Sequence, residues 1–358
     1  MRGDRAKRKT LMNSHRVLFI RPTSTLSKGK VVTAKNVIAA SLGCLFALMT
    51  TQEALAEKPW PQAKEIRLVV PFPAGGGGDT LARVIAPELS ARLGQTIIIE
   101  NLAGAGGSLG TEQVARGKSD GYTLLYVTNG TMGTNPALYP NVGYDPLKDF
   151  APVGQMTEIA MVMSVNPTRH KETKLSDFLD KARKSNTPYT FSSAGNGTTS
   201  HLAGVMLSNL TGIAFQHIPY RGGAASMTDM LGGRIDFTID VAPNTLRHVD
   251  AKKLTALGSG SNQPLKSHPD IKPIQQTVPG FELFAWDGLV VKNGTDPEII
   301  KKLNAALQDA LKSESVKAAY FARGAEVVES TPDGFRVFMQ SEAKKWADLV
   351  HSSKTKLD

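Results

Sequence analysis

Val69-Val-Pro-Phe-Pro-Ala-Gly-Gly-Gly-Gly-Asp-Thr-Leu-Ala-Arg83 is the stretch on which the reading of this chain turns. The apolar, β-branched run Ile66 to Val70 predicts a buried strand that two prolines and four consecutive glycines interrupt. Thr80 to Leu93 then reads as a helix with Asp79 at its N-cap. Glycines leave main-chain N–H groups uncovered and a helix start adds partial positive charge, so such a loop suits a carboxylate without any charged side chain. A purely structural strand-to-helix turn is the competing reading of this loop taken alone.

Working outward toward the amino terminus, residues 1–36 are basic, Val37 to Met49 is an apolar run and Ala54-Leu-Ala56 is a small-residue cleavage signature. Residues 1–56 are therefore expected to be a cleaved export signal, which places the mature chain in the periplasm. The apolar run falls short of the ~20 residues of a spanning helix. This segment holds ten of the 42 Lys and Arg but two of the 32 Asp and Glu, so the net charge of +10 falls to +2 for the remainder. No basic cluster is left beyond Ala56, and nucleic acid is not an expected partner. Cys44, the only cysteine, lies in the apolar run. The mature chain then has no disulfide, thiolate metal site or cysteine nucleophile.

The 302 residues that follow suit about two domains. Gln95 to Glu100 reads as a strand, Asn101 to Gly107 as a second glycine loop, Ser108 to Arg116 as a helix, and Tyr122 to Val127 as a strand ending at Thr128-Asn-Gly-Thr131. A long apolar segment from Val153 is expected to cross to a second domain. Helix Lys174 to Lys184 follows, then strand Tyr189 to Ser192, a third glycine and hydroxyl loop Ser193 to Thr199, and helix Ser200 to Leu210. Strand Ala214 to Ile218 leads through Pro219-Tyr-Arg-Gly-Gly223 to helix Ala224 to Leu231, and Phe237 to Val241 and Leu254 to Gly258 complete this half. Phe284 to Val291 is a second candidate crossing strand. Asp296 and Pro297 cap and open a helix to Leu311, and helices Ser315 to Arg323 and Pro332 to Val350 close the chain. Alternating strands and helices predict an α/β chain. With both crossings real, lobe 1 comprises 57–158 and 286–358, lobe 2 comprises 159–285, and strand-end loops collect in the cleft between them.

Pro71 to Asp79, Glu100-Asn101 with Gly104 to Gly107, Asp120 to Leu125, Tyr144-Asp-Pro146 with Asp149 to Pro152, Ser193 to Leu202, and Pro219 to Gly223 with Gly232 to Asp236 occur in one order along the mature chain. In that order they resemble the Bug (TctC-type) extracytoplasmic solute receptors of tripartite tricarboxylate transporters. The resemblance implies a type II periplasmic-binding-protein fold, whose two lobes close on a small carboxylic acid and deliver it to membrane permease subunits. It places Phe72, Ala74, Gly75 and Gly76 on one side of the ligand, Ser193, Gly195, Asn196, Gly197 and Thr198 on the other, Thr128 and Asn129 on the floor, and Asp240 at the distal end. The family's Phe-Asp segment reads Phe-Thr-Ile-Asp here. The expected protein is a monomer without cofactor, metal or catalytic residue.

Other readings compete with this one. Gly104-Ala-Gly106 follows a strand, but the sixth position of a dinucleotide fingerprint is Leu109. Gly106-Gly-Ser-Leu-Gly110 matches a nucleophile elbow, making a serine esterase using Ser108 the enzymatic alternative, although Ser108 lies several residues past its strand, where a helix cap fits better. A same-fold sensor for a membrane signalling partner is the other alternative. Asp79 is expected to cap first and touch ligand second. Arg221 is a candidate partner for a ligand carboxylate, and His201 fits a cap or pocket wall better than a metal ligand.

Overall fold

The computed structural model describes residues 58–139 and 141–352; the expected export signal, with Cys44, lies outside the described residues. β1 (Ile66–Val70) leads into α1 (Gly77–Leu93), β2 (Ile97–Asn101), α2 (Ser108–Ala115) and β3 (Thr123–Thr128). β1 lies between β2 and β3, parallel to both, as helical crossovers between the strands allow. A π-helical turn at Gly130–Thr134 runs into one α-turn, Asn135–Leu138.

β4 (Phe150–Val165) is sixteen residues long and buried throughout except at Glu158. At ~3.3 Å per residue it reaches about 50 Å, long enough to serve two lobes. The second lobe follows as α3 (Leu175–Lys184), β5 (Tyr189–Ser193), α4 (Thr199–Thr211), β6 (Phe215–Pro219), α5 (Gly223–Leu231), β7 (Phe237–Val241), α6 (Ala242–Asp250) and β8 (Thr255–Ser259). β9 (Phe284–Lys292), α7 (Pro297–Leu311), α8 (Glu314–Phe321), β10 (Ala325–Val327) and α9 (Pro332–Ser352) complete the described chain.

One sheet runs β2-β1-β3-β9-β4-β7-β5-β6, with β8 and β10 also paired to β4. The first part of β4, Phe150 to Ala160, lies antiparallel to β9, and its last part, Met161 to Ser164, lies antiparallel to β7. Register shifts at Pro152/Gly154, Gln155/Thr157 and Met163/Ser164 bend it between its two sets of neighbours. β5 is parallel to β6 and β7. The architecture is an α/β fold in which one mixed sheet is shared by two lobes, as the resemblance to type II periplasmic binding proteins implies. The carboxyl ends of β1 and β3 in one lobe and of β5 and β7 in the other point loops at the same space.

α7 starts as its sequence dictates: Asp296 accepts the Glu298 N–H at 2.9 Å and Pro297 takes the first helical position. α1 starts earlier than expected. Its cap is Gly76, so Asp79 is the third helical residue, and its buried carboxylate reaches back past the cap to accept the Gly75 N–H at 2.8 Å. α6, opened by Pro243 and closed by Arg247 and His248, was not expected, nor was the short β10.

Candidate functional site

The β1–α1 loop is shaped by contacts only glycine permits. A Cβ on Gly78 would stand 3.1 Å from the Tyr126 ring and 3.2 Å from Phe72, and one on Gly77 would stand 2.5 Å from Val241 Cγ2 in the other lobe. Phe72 meets Tyr126 edge to face at 6.5 Å between centroids. The N–H groups of Gly77 and Gly78 belong to the first turn of α1, where no carbonyl of their own helix can reach them.

Asp79 holds this loop from behind. Burial works against its charge, but the Arg83 guanidinium (2.9 Å), the Gly75 amide and the Asn101 side-chain amide (3.0 Å) together hold its carboxyl below the ordinary aspartate range. The Gly75 N–H, expected at the ligand, is engaged by Asp79 instead.

The facing β5–α4 loop is similarly braced. Gly195 donates its N–H to Ser193 Oγ at 3.1 Å, Gly197 donates to His201 Nδ1 at 3.2 Å, and Thr198 Oγ1 donates to the Gly195 carbonyl at 2.7 Å. Burial pushes the His201 imidazole down to about 4, and burial with neighbouring His201 pushes His217 down to about 3, so this stacked pair is neutral at physiological pH. Ser193 Oγ sits 2.6 Å from His217 Nε2, below the loop. Thr199 and Ser200 present the free first-turn N–H groups of α4.

These walls enclose a cavity of about 80 Å³. One water needs ~10–15 Å³ by the same measure, so the space suits an acid of a few carbons and excludes a dinucleotide. Four helices begin at its wall: α1, α4, α5 at Gly223, and α6 at the Val241 cap. No lysine, arginine or histidine side chain lines it. Asn129, fully buried at the end of β3, accepts the Thr199 hydroxyl at 3.0 Å and leaves its Nδ2 without a partner.

Asp240, at the end of β7, accepts the Val241 N–H at 2.8 Å and the Asn244 Nδ2 at 2.5 Å; burial raises its pKa against those two bonds. Under the cavity Asp287 accepts the hydroxyls of Tyr126 at 2.5 Å and Thr157 at 2.6 Å, and burial pushes its carboxyl up to about 6. Trp286, on the cavity wall, and Trp346 of α9 both donate their indole N–H to Glu342 Oε2, at 2.8 and 2.7 Å.

Of the residues singled out in the sequence, Phe72, Gly76, Thr128, Asn129, Thr198 and Asp240 line this inner cavity. Gly195, Asn196 and Arg221 line an outer chamber of about 400 Å³, which also takes in Phe72 and opens from the same cleft. Ala74, Gly75, Asp79, Ser193 and Gly197 line neither. Gly77, Gly78, Tyr126, Ser200, Gly223 and Asn244 line the inner wall without having been singled out. The Asn244 position carried a sequence signal, since Pro243 ahead of Arg247-His248 marks a helix starting at the end of β7.

Ser108 is the first residue of α2, capped by Gly107, and not the tip of an elbow. Its buried hydroxyl is 2.9 Å from the Asn135 Nδ2 that donates to it, with no imidazole on it. Among the described residues no group of three or more His, Cys, Asp or Glu is placed to hold a metal ion.

The family model described as "Tripartite tricarboxylate transporter family receptor", TctC, matches residues 81–354. The periplasmic binding protein BugD is 32% identical, with a TM-score of 0.79, covering 83% of this chain and 99% of its own. An R. palustris protein solved with adipate is 30% identical, with a TM-score of 0.80, covering 82% of this chain and 98% of its own. MatC of Rhodopseudomonas palustris, solved with bound malate, is 32% identical, with a TM-score of 0.76, covering 81% of this chain and 99% of its own. Sequence match, fold and cleft agree, and the chain belongs to the TctC family of tripartite tricarboxylate transporter receptors, which are periplasmic solute-binding proteins.

Proposed function

We propose that this receptor captures a small carboxylic acid in the inner cavity and delivers it to the permease subunits of a tripartite tricarboxylate transporter. One observation carries the reading: four helix N-termini converge on a cavity that contains no cationic side chain. Such a site stabilises a carboxylate with preorganised N–H groups, each charge-assisted hydrogen bond contributing about 1.5–3 kcal/mol net. Gly77 and Gly78 take one carboxylate edge, Thr199 and Ser200 the other, and Asn129 Nδ2 supplies a further donor. The adipate and malate held by the two relatives support this assignment.

The chain is read as exported by cleavage after residue 56, monomeric and non-catalytic. Its lobes, 57–158 with 286–358 and 159–285, close by bending along β4 and the entry to β9. Phe72, Gly76, Thr128, Thr198 and Asp240 line the bound state in this reading, and Arg221 stands at the cleft mouth.

The test is thermal unfolding of the periplasmic protein, stripped of carried ligand, against mono- and dicarboxylates, aromatic acids and amino acids. A ligand at a hundred times its dissociation constant adds about 2.7 kcal/mol. A rise confined to a few related acids is expected; no shift with any acid, in folded ligand-free protein, removes carboxylate capture.

A further inference from the structure

The cavity wall leaves two buried polar atoms without a partner, and they are of opposite kind. Asn129 Nδ2 is a donor in the first lobe, and Asn244 Oδ1 is an acceptor in the second. Asn244 is 1% exposed, sits in the first turn of α6, and gives its Nδ2 to Asp240. That bond fixes which way the amide points, because the flipped amide would set its oxygen against the Asp240 carboxylate. The unpaired oxygen is therefore an acceptor by necessity.

The Asp240–Asn244 pair is also held in place. A Cβ on Gly223 would meet Asn244 Nδ2 at 2.6 Å and Asp240 Oδ2 at 3.1 Å, so the bare start of α5 is pressed against the pair. Asp240 takes its second hydrogen bond from the Val241 N–H. A plain alkyl carboxylate answers Asn129 and leaves Asn244 unanswered. A buried polar atom built to meet a complement rejects ligands that lack it.

We propose that the cavity selects acids carrying a hydrogen-bond donor, a hydroxyl or an ammonium, in addition to the carboxylate, and that Asn244 Oδ1 accepts from it while Asp240 holds the amide in place. This selection rests on the carboxylate-capture reading above. A ligand ammonium gains attraction from the Asp240 carboxylate as well, whereas a hydroxyl relies on Asn244 alone; the two donors share one chemistry at the acceptor and differ in charge.

The test is calorimetric titration of the periplasmic protein, freed of carried ligand, with two matched sets: succinate, malate and aspartate, then glutarate, 2-hydroxyglutarate and glutamate. In the set that binds, the hydroxy or amino member is expected to bind at least about tenfold more tightly than its unsubstituted parent. Malate against aspartate, or hydroxyglutarate against glutamate, tells hydroxyl from ammonium. Asn244→Leu is expected to shrink that ratio to below about threefold, and should this variant misfold, Asn244→Ser and the wild-type ratio carry the test. Parents that bind as tightly as both derivatives overturn the selection while leaving carboxylate capture standing. No binding by any acid here or in the wider panel overturns capture itself, and the selection with it.

Discussion

Thr199 donates its hydroxyl to the Asn129 side-chain oxygen at 3.0 Å, tying the first residue of α4 to the end of β3 across the cleft and seventy positions of sequence. Beside it, Tyr139 Oη donates to the Asn196 carbonyl at 3.3 Å. Both bonds join one lobe to the other beside the cavity.

Replacing Thr199 by Val deletes the first of these bonds with little change of volume. The lost bond is worth about 0.5–1.5 kcal/mol, so the closed form weakens and ligand affinity is expected to fall about three- to tenfold, mainly through faster release. Stopped-flow dissociation checks it; an unchanged off-rate would show that the bond plays no part in closure.

Gly77→Ala places a methyl 2.5 Å from Val241 Cγ2, where the two lobes meet. Loss of at least about tenfold in affinity is expected with the melting temperature held, and Val241→Ala in the same chain should recover part of it, since the two positions touch. Independent, additive effects would sink this account.

Asp287 gives a pH signature. Its carboxyl is pushed up to about 6 in the fold by burial, against ~3.9 unfolded. The native state therefore binds the extra proton between those values, and the group's contribution is fully present below about pH 4 and lost as pH rises through 6. Asp287→Asn is expected to gain about 2–3 kcal/mol relative to wild type between pH 4 and 7.5. Urea unfolding of both proteins at the two pH values measures this, and a pH-independent difference would refute it.

Glu342 accepts two buried indole N–H groups, one of them from Trp286 on the cavity wall. Glu342→Leu leaves both unpaired at about 1–3 kcal/mol each, and a drop in melting temperature of several degrees is expected. Glu342→Gln, which keeps one acceptor oxygen, should lose less. Because Trp286 also lines the cavity, its fluorescence should change on ligand binding in wild type and remain silent in Trp286→Phe.

Much of the architecture was legible because its signals are local. Asp296-Pro297 wrote the start of α7, and the apolar run from Val153 wrote most of β4. The start of α1 was misplaced because four glycines carry neither propensity nor hydrophobic pattern, and the nearest capping residue, Asp79, drew the boundary to itself. The glycine loops were legible as places but not as lists of donors. Which amides remain free depends on Asp79, Ser193 and His201 taking those of Gly75, Gly195 and Gly197, and those pairings exist only once the loops are folded. Tyr126 and Asn244 escaped notice because their place at the cavity follows from β3 and β7 being brought together through β9 and β4, a long-range pairing of which the local helix start at Pro243 says nothing.

A recognition surface made from the starts of helices has an unusual genetic property. In the proposed site the carboxylate would be held mostly by main-chain N–H groups, which every codon encodes alike, and truncating a side chain would erase only the contributions of Asn129 and Asn244. At Gly77, Gly78 and Gly223 loss of binding is expected to come by addition, since each new carbon would fill space that a neighbouring lobe, ring or amide already occupies. An alanine scan, built to delete, would pass over most of the proposed site unless it counted glycine to alanine as its most telling step.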